Sequence, residues 1–307
     1  MTTYNHRDYI VEALDGLLSQ THPLCEILVA DDGSKDGTPE LVAPFERHGV
    51  TLLRTDAGGP SRAMNALLRR ARGDVLLLHS GDDVSHPHRV EAQLQQLEAS
   101  DVASCTPRLI NDVGAELPTD AFPVFSEPPS REAGTALFSR LLFKGNFICA
   151  PAVAMRRSVL QAVGAFHEGL IQLQDHDYWM RAAAKGCRLD ISTQPYASYR
   201  VHERNLSRPA NDPRTSVELS YVLRSAVGQL DREQALTLLY GPDMRPARPP
   251  SVVVLRALLL LRHRLSDVRR LGLELLIDEL GADDGRSGMR DLFGVEGKAV
   301  FNLMSTA

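Results

Sequence analysis

Residues 74–83 read Asp74-Val75-Leu76-Leu77-Leu78-His79-Ser80-Gly81-Asp82-Asp83. The Val/Leu run is continuous rather than alternating, the pattern of a strand covered on both faces. Two adjacent carboxylates stand where it ends, and the carboxyl ends of strands are where open α/β sheets bind ligands. The same arrangement occurs earlier, where Ile27-Leu28-Val29-Ala30 runs into Asp31-Asp32-Gly33-Ser34. Adjacent acids suit a hard divalent cation, and such a cation suits a diphosphate. Two strands delivering acid pairs to one edge make a nucleotide site the leading expectation.

Outward from these strands, Ile10, Ala13, Leu14, Leu17 and Leu18 mark an amphipathic helix within residues 8–20. Thr38-Pro39 opens another, with proline at the first helical position. The spacing predicts strands at 25–30, 50–54, 74–79 and 102–106. It predicts a helix after Gly58-Gly59-Pro60 and another over 88–99. Strands alternating with helices imply a parallel sheet with right-handed crossovers. Residues 111–135, rich in Pro, Gly and acids, read as a long loop. A second block follows: helix 136–143, strand 150–155, helix 157–163 and helix 174–186. Beyond Pro209 the pattern is helical only, broken by the Pro-rich stretch 242–250.

The bulk properties exclude several classes. With 34 basic against 39 acidic residues and a net charge of −5, nothing draws the chain to nucleic acid. Cys25, Cys105, Cys149 and Cys187 form no Cys-x-x-Cys pair, which argues against a zinc knuckle or disulfide framework and fits a reducing cytoplasm. No secretion signal is evident at the start. The apolar run Val252–Leu261 contains Arg256 and is shorter than the roughly 20 residues a bilayer span needs. The arginines around it (Arg256, Arg262, Arg264, Arg269, Arg270) could touch anionic lipid. They do not segregate onto one face, so a packing helix is the favoured reading. The expected location is cytoplasmic, with peripheral contact at the inner face of the cell membrane as a further option.

Several motifs occur in an order that resembles a known group. They are Thr3-Tyr4-Asn5, Asp31-Asp32-Gly33-Ser34-x-Asp36-Gly37-Thr38, Arg62-x-x-Asn65, Gly73-Asp74, Asp82-Asp83, Gly164-x-Phe166 and Asp175-x-Asp177-x-Trp179-x-Arg181. Tyr199-Arg200-x-His202-x-x-Asn205-x-Ser207 closes the series. Together they resemble the family-2 inverting glycosyltransferases with the glycosyltransferase-A fold, over about residues 2–208. The implied organisation is a catalytic domain over 1–208 and a helical C-terminal extension over 209–307.

The resemblance implies roles residue by residue. Thr3, Tyr4 and Asn5 would pack around the nucleotide base, although Asn5 serves equally well as a cap for the first helix. Asp32 would accept from the base or ribose, with Arg62 and Asn65 nearby; an exposed Arg and a surface Asn are the plainer alternative. Asp36 reads as a turn residue. Asp83 would hold Mn²⁺ or Mg²⁺, Asp82 would contact the ribose, and His202 would complete the metal site. The family's leading acid is replaced here by Ser80. Asp175 would be the base that takes a proton from an acceptor hydroxyl, with Gln174 in place of the usual Glu. Gly145 and Asn146 would line the acceptor pocket. The implied donor is a UDP-, dTDP- or GDP-linked sugar, and the acceptor a glycan or lipid-linked glycan.

One departure is large. Family members begin with an apolar strand before the Thr-Tyr-Asn segment, where this chain has only Met1 and Thr2. Its absence would leave neighbouring strands with unpaired backbone groups. Two rival functions remain. A sugar nucleotidyltransferase would need a basic, glycine-rich phosphate loop near the start, and there is none. A truncated or catalytically impaired nucleotide- or glycan-binding domain is favoured by Ser80 and the short start. NAD enzymes are disfavoured because no Gly-x-Gly-x-x-Gly follows a strand.

Overall fold

In the computed structural model, residues 1–125, 130–206, 213–244, 246 and 250–281 are described. The first block runs β1 (Thr2–Thr3), α1 (Ile10–Leu18), β2 (Ile27–Asp31), α2 (Thr38–Val42), β3 (Val50–Arg54), α3 (Pro60–Arg70) and β4 (Val75–Leu77). There follow β5 (Val84–Ser85), α4 (Arg89–Leu97), β6 (Val102–Cys105), β7 (Arg108–Ile110), β8 (Arg131–Ala133), α5 (Gly134–Lys144), β9 (Ala154–Arg156) and α6 (Arg157–Val163). The remainder is α7 (Gln174–Ala184), β10 (Arg188–Ser192), β11 (Ala197–Arg200), α8 (Pro213–Gln229), α9 (Arg232–Tyr240), α10 (Val252–Leu261) and α11 (Ser266–Gly281).

The predicted parallel pairing holds at the nucleotide half. β1, β2 and β3 are parallel, with Ile27 opposite Val50 and Asp31 opposite Arg54. A parallel bridge from Thr2 to Ser80 ties β1 to the end of β4. Beyond it the order is β4-β9-β6-β10-β8, where β9 lies antiparallel between β4 and β6. The parallel expectation therefore gains an antiparallel insert, supplied by the second block. A small separate sheet, β5-β11-β7, carries the end of the acidic turn.

The short β1 lies between β2 and the end of β4, where the resemblance puts the first strand. Thr2 N–H donates to His79 O at 3.1 Å, and Ala30 N–H donates to Met1 O at 2.9 Å. Beside Met1, between β2 and β4, lies an open pocket of ≈ 100 Å³ lined by Met1, Leu28, Met64, Leu67, Leu68 and Leu77 among others. The Met1 ammonium is buried at its end and donates to Leu28 O at 2.8 Å.

The helices α8, α9 and α10 share one apolar cluster with α5 and α7: Val222, Leu223, Leu236, Leu255 and Leu259 join Phe138, Leu141 and Trp179. The apolar run of α10 is thus a packing helix. Its Arg256 is spent on Leu230 O at 3.1 Å and Arg262 on Leu239 O at 2.7 Å. Among the described residues no helix is long and apolar enough to cross a membrane. The boundary expected near 208 and 209 falls outside the described residues, as do Ser207 and everything beyond 281.

Candidate active site

The acidic turn after β4 is built on buried cations. Arg200, 1% exposed, donates its Nε to Asp82 O at 2.8 Å and its backbone N–H to Asp83 Oδ1 at 2.9 Å. Its guanidinium also binds Asn111 O and Glu12. Arg89, fully buried, donates to Leu78 O at 2.8 Å and to Ser85 Oγ at 2.9 Å, bracing both ends of the turn.

Within that frame Asp82 faces two imidazoles. His202 Nε2 lies 3.0 Å and His6 Nε2 3.6 Å from Asp82 Oδ2. Candidate ligand atoms of the three side chains all lie within 4.8 Å of one another. Ligands at about 2.0–2.2 Å from one cation lie about 3 Å apart when adjacent, so the spacing suits a metal as well as an ion pair. His202 stacks on Tyr9, ring centroids 5.3 Å apart, and its backbone N–H is held by Asn205 Oδ1. Burial pushes the Asp82 carboxyl up, but the charge of His6 and the hydrogen bonds from His202 and Ser80 outweigh it and hold Asp82 below the usual range. Asp83, the expected metal ligand, lies outside the cluster of His6, Asp82 and His202; its Oδ1 takes the Arg200 backbone N–H and its Oδ2 is buried without a protein partner. Burial and the charge of Asp82 push the Asp83 carboxyl well up. The carboxylate beside His202 is therefore Asp82, not Asp83.

Gly81 makes this approach feasible. A Cβ there would sit 2.6 Å from Thr3 Oγ1 and 3.0 Å from His6 Nδ1. Both of those atoms are buried and lack protein partners. His6 itself is pinned at the start of α1, where its carbonyl accepts from Tyr9 and Ile10 N–H. Neither His6 nor Arg200 was singled out from the sequence; the signal that could have found His6 is its place directly after the Thr3-Tyr4-Asn5 segment.

The other nucleotide-side residues separate into two groups. Asn5, in the left-handed region at φ 54°, takes Ser34 Oγ with its backbone N–H at 2.8 Å and accepts from Lys35 N–H at 2.9 Å. It ties the first loop to the Asp31–Ser34 loop and does not cap α1, which Tyr9 precedes. Tyr4 is 52% exposed, the one member of that segment free to stack on a ligand. Asp32 accepts from Thr55 Oγ1, Gly58 N–H and Gly59 N–H, each at 2.8 Å, and so shapes the Gly58-Gly59 loop. Asp36 is the expected turn residue, accepting from Thr38 N–H and Arg7 N–H at 3.0 Å. Asn65, by contrast, is 2% exposed and pairs with the backbone N–H and C=O of Phe166, both at 2.9 Å. Arg62 is exposed and bound to Glu168 at 3.2 Å. Arg62 matches the plainer reading of an exposed side chain, whereas Asn65 is no surface residue but straps α3 to the segment around Gly164-x-Phe166.

Asp175 sits in the first turn of α7, half-buried. Asn146 Nδ2 donates to its Oδ2 at 2.8 Å, and the His176 backbone N–H to its Oδ1 at 2.7 Å. Burial raises its pKa to about 6 against these bonds. The expected base and the expected acceptor-pocket residue are thus in direct contact. Gly145, at φ 94°, ends α5 and turns the chain so that Asn146 reaches α7. Asp177 points elsewhere, 2% exposed and bound to Arg181 at 2.8 Å.

A sequence model described as Glycosyl transferase family 2 matches residues 1–164. The succinoglycan biosynthesis protein ExoO of Rhizobium meliloti is 30% identical over 220 residues, 66% of this chain and 60% of that protein. An uncharacterized glycosyltransferase of Rickettsia typhi is 27% identical over 243 residues, 76% of this chain and 67% of the relative. The chain thus spans about two thirds or less of these relatives' length. Among solved structures, S. aureus TarS 1-349 in complex with UDP-GlcNAc superposes with a TM-score of 0.63 at 20% identity, covering 91% of this chain and 83% of that one. The mannosyltransferase PcManGT of Pyrobaculum calidifontis, in complex with GDP-Man and Mn²⁺, gives 0.56 at 18% identity, covering 99% and 85%.

Proposed function

Because this chain belongs to glycosyl transferase family 2 and has the glycosyltransferase-A type fold, we propose that it moves a sugar, with inversion, from a nucleotide-activated donor to a hydroxyl of a glycan or lipid-linked glycan. The observation that carries this reading is the setting of Asp175. A base works best when its pKa lies near the working pH, and burial brings this carboxyl to about 6 while Asn146 fixes its orientation. In the transfer the acceptor oxygen forms the new bond to C1, and its proton passes to the Asp175 carboxylate. The C1–O bond to phosphate breaks, and its electron pair leaves with the nucleoside diphosphate.

Thr3, Tyr4, Asn5 and Asp32 would wall the nucleoside side of the donor, with Tyr4 exposed for stacking. His6, Asp82 and His202 fit a divalent cation by donor type and spacing. When bound there it would neutralise diphosphate charge and favour the leaving group. A glycan acceptor is supported by the name of ExoO, and a nucleoside-diphosphate sugar by the ligands of TarS and PcManGT.

The test is nucleoside-diphosphate release from a panel of UDP-, dTDP- and GDP-sugars, with donor binding followed by thermal shift. Asp175→Asn should lose about 10²–10⁴ in rate, the usual worth of a general base, while keeping the donor-induced rise in Tm. Near-full turnover in Asp175→Asn would remove the proposed base. Donor binding with no turnover by the unmodified chain would favour the binding-domain rival.

A further inference from the structure

The donor set at the acidic turn is unusual for an ion that must hold a diphosphate. Ser80 stands where the resemblance would put a carboxylate, and Asp83, whose Oδ1 takes the Arg200 backbone N–H, lies outside the three-residue cluster. What remains around Asp82 Oδ2 is nitrogen: His202 Nε2 at 3.0 Å and His6 Nε2 at 3.6 Å. The three come from three separate places in the chain, each fixed independently. His6 is held by its carbonyl at the α1 start, Asp82 by the Arg200 Nε at 2.8 Å, and His202 by its stack on Tyr9 and the Asn205 side chain. Gly81 leaves room on this side, where a Cβ would clash with Thr3 at 2.6 Å and press on the His6 ring at 3.0 Å. The His6 side chain is only 16% exposed, and its Nδ1 is buried without a protein partner.

We propose that His6 is a metal ligand in this chain, and that the resulting two-imidazole, one-carboxylate site takes nitrogen-accepting transition ions such as Mn²⁺, Co²⁺ or Zn²⁺ and discriminates against Mg²⁺. The proposal rests on the reading of this cluster as the cation site. Imidazole nitrogen suits first-row transition ions, whereas Mg²⁺ demands oxygen ligands in near-ideal octahedral order and gives up its waters reluctantly. Two neutral imidazoles also leave the ion with more net charge than two carboxylates would. That charge is available to the diphosphate.

The experiment measures metal binding rather than turnover. The full chain, with a nucleoside diphosphate present, is titrated with Mn²⁺, Co²⁺ and Mg²⁺ by calorimetry, and the Mn²⁺ form is examined by pulsed EPR for directly bound ¹⁴N. The unmodified chain should bind Co²⁺ more tightly than Mn²⁺, as affinity rises along the first transition row, and Mg²⁺ at least about tenfold more weakly than either because it prefers oxygen ligands. Two nitrogen couplings should appear. His6→Ala should keep one coupling and lose about tenfold or more in Co²⁺ affinity, since loss of even an outer partner typically costs 10–100-fold. His6→Asp, which exchanges an imidazole nitrogen for a carboxylate oxygen, should narrow the gap between Mg²⁺ and Mn²⁺. Circular dichroism confirms that each variant folds. One nitrogen coupling in both the unmodified chain and His6→Ala would overturn the role of His6 while leaving a metal site at Asp82 and His202. No bound ion of any kind would overturn both readings.

Discussion

Asp175 and Asp177 lie two residues apart on α7, yet their surroundings assign them opposite tasks. Asp177 is buried against Arg181, whose guanidinium also caps Val163 O at 2.7 Å and Ala165 O at 3.0 Å. Removing one partner of such a pair leaves a poorly compensated charge, so Asp177→Asn should cost about 2–3 kcal/mol in urea unfolding. Turnover per folded molecule should change little. Asp175 is the reverse case. Its folded pKa of about 6 lies above the ordinary 3.8, so the folded state holds the proton more tightly than the unfolded one between those values. The ionised form is therefore a burden on stability above pH 6, relieved below about pH 4. Asp175→Asn should gain at most about 3 kcal/mol at pH 8, at 1.36 kcal/mol per pKa unit, and the gain should vanish near pH 4. Equal stability at pH 8 would show that the carboxyl is not perturbed. The family resemblance carried by motif order pointed to Asp175, Asn146, Asp82 and His202, because motif order is a property of sequence. It could not tell that Asn65 turns inward to Phe166, or that Asp82 rather than Asp83 meets the imidazoles. Adjacent residues in a turn diverge by backbone torsion, which no periodicity records.

Among the elements, the helices and the strands of the first block were legible, whereas β1, β5, β7, β8, β10 and β11 were not. β3 and α6 match their expected bounds of 50–54 and 157–163, since each carries a full pattern between clear breakers. β1, β5 and β8 hold two or three residues, too few to show a period of two. They exist because neighbouring strands offer them backbone partners. The C-terminal helices illustrate a different limit. Their apolar stripes were visible, but their crossing was not. α10 and α11 approach so closely at Gly272 that a Cβ would meet Ala257 O at 2.7 Å and the Leu261 side chain at 2.9 Å. Helix propensity alone would favour alanine there by up to about 1 kcal/mol. Because backbone carbonyl cannot yield as a side-chain tip does, Gly272→Ala should instead destabilise by about 1–3 kcal/mol in thermal or urea unfolding. A net gain would mean that the helices part without cost.

For the whole molecule, the open space between β2 and β4 governs how firmly the nucleotide half is joined to the rest. The two halves of the sheet meet there through Met1–Thr3 and the Thr2 bridge to Ser80. An engineered extension of about six apolar, β-prone residues ahead of Met1 could continue β1 along both strand edges. Each apolar side chain buried is worth about 1.5–3 kcal/mol before ordering entropy is subtracted. Such an extension should raise Tm and tighten donor binding together, because Thr3–Asn5 are positioned by that strand. A charged extension of the same length should do neither. No change with the apolar segment would show that the cavity cannot accept a strand.

In a chain that starts with a free Met1 amine, that amine makes this region a proton-linked element. Burial, with Arg89 adding to it, lowers the pKa of that ammonium from 8.0 to about 5. Between those values an unfolded chain with a free Met1 amine takes up a proton that the folded chain refuses, so acidification favours unfolding. The loss is negligible above pH 8, about 1–2 kcal/mol at pH 7 and about 2–3 kcal/mol at pH 6. Converting the amine to an amide, whether by acetylation or by a preceding peptide bond, abolishes the titration and keeps the hydrogen-bond donor for Leu28. The same fold would then carry different acid tolerance according to the covalent state of a single nitrogen.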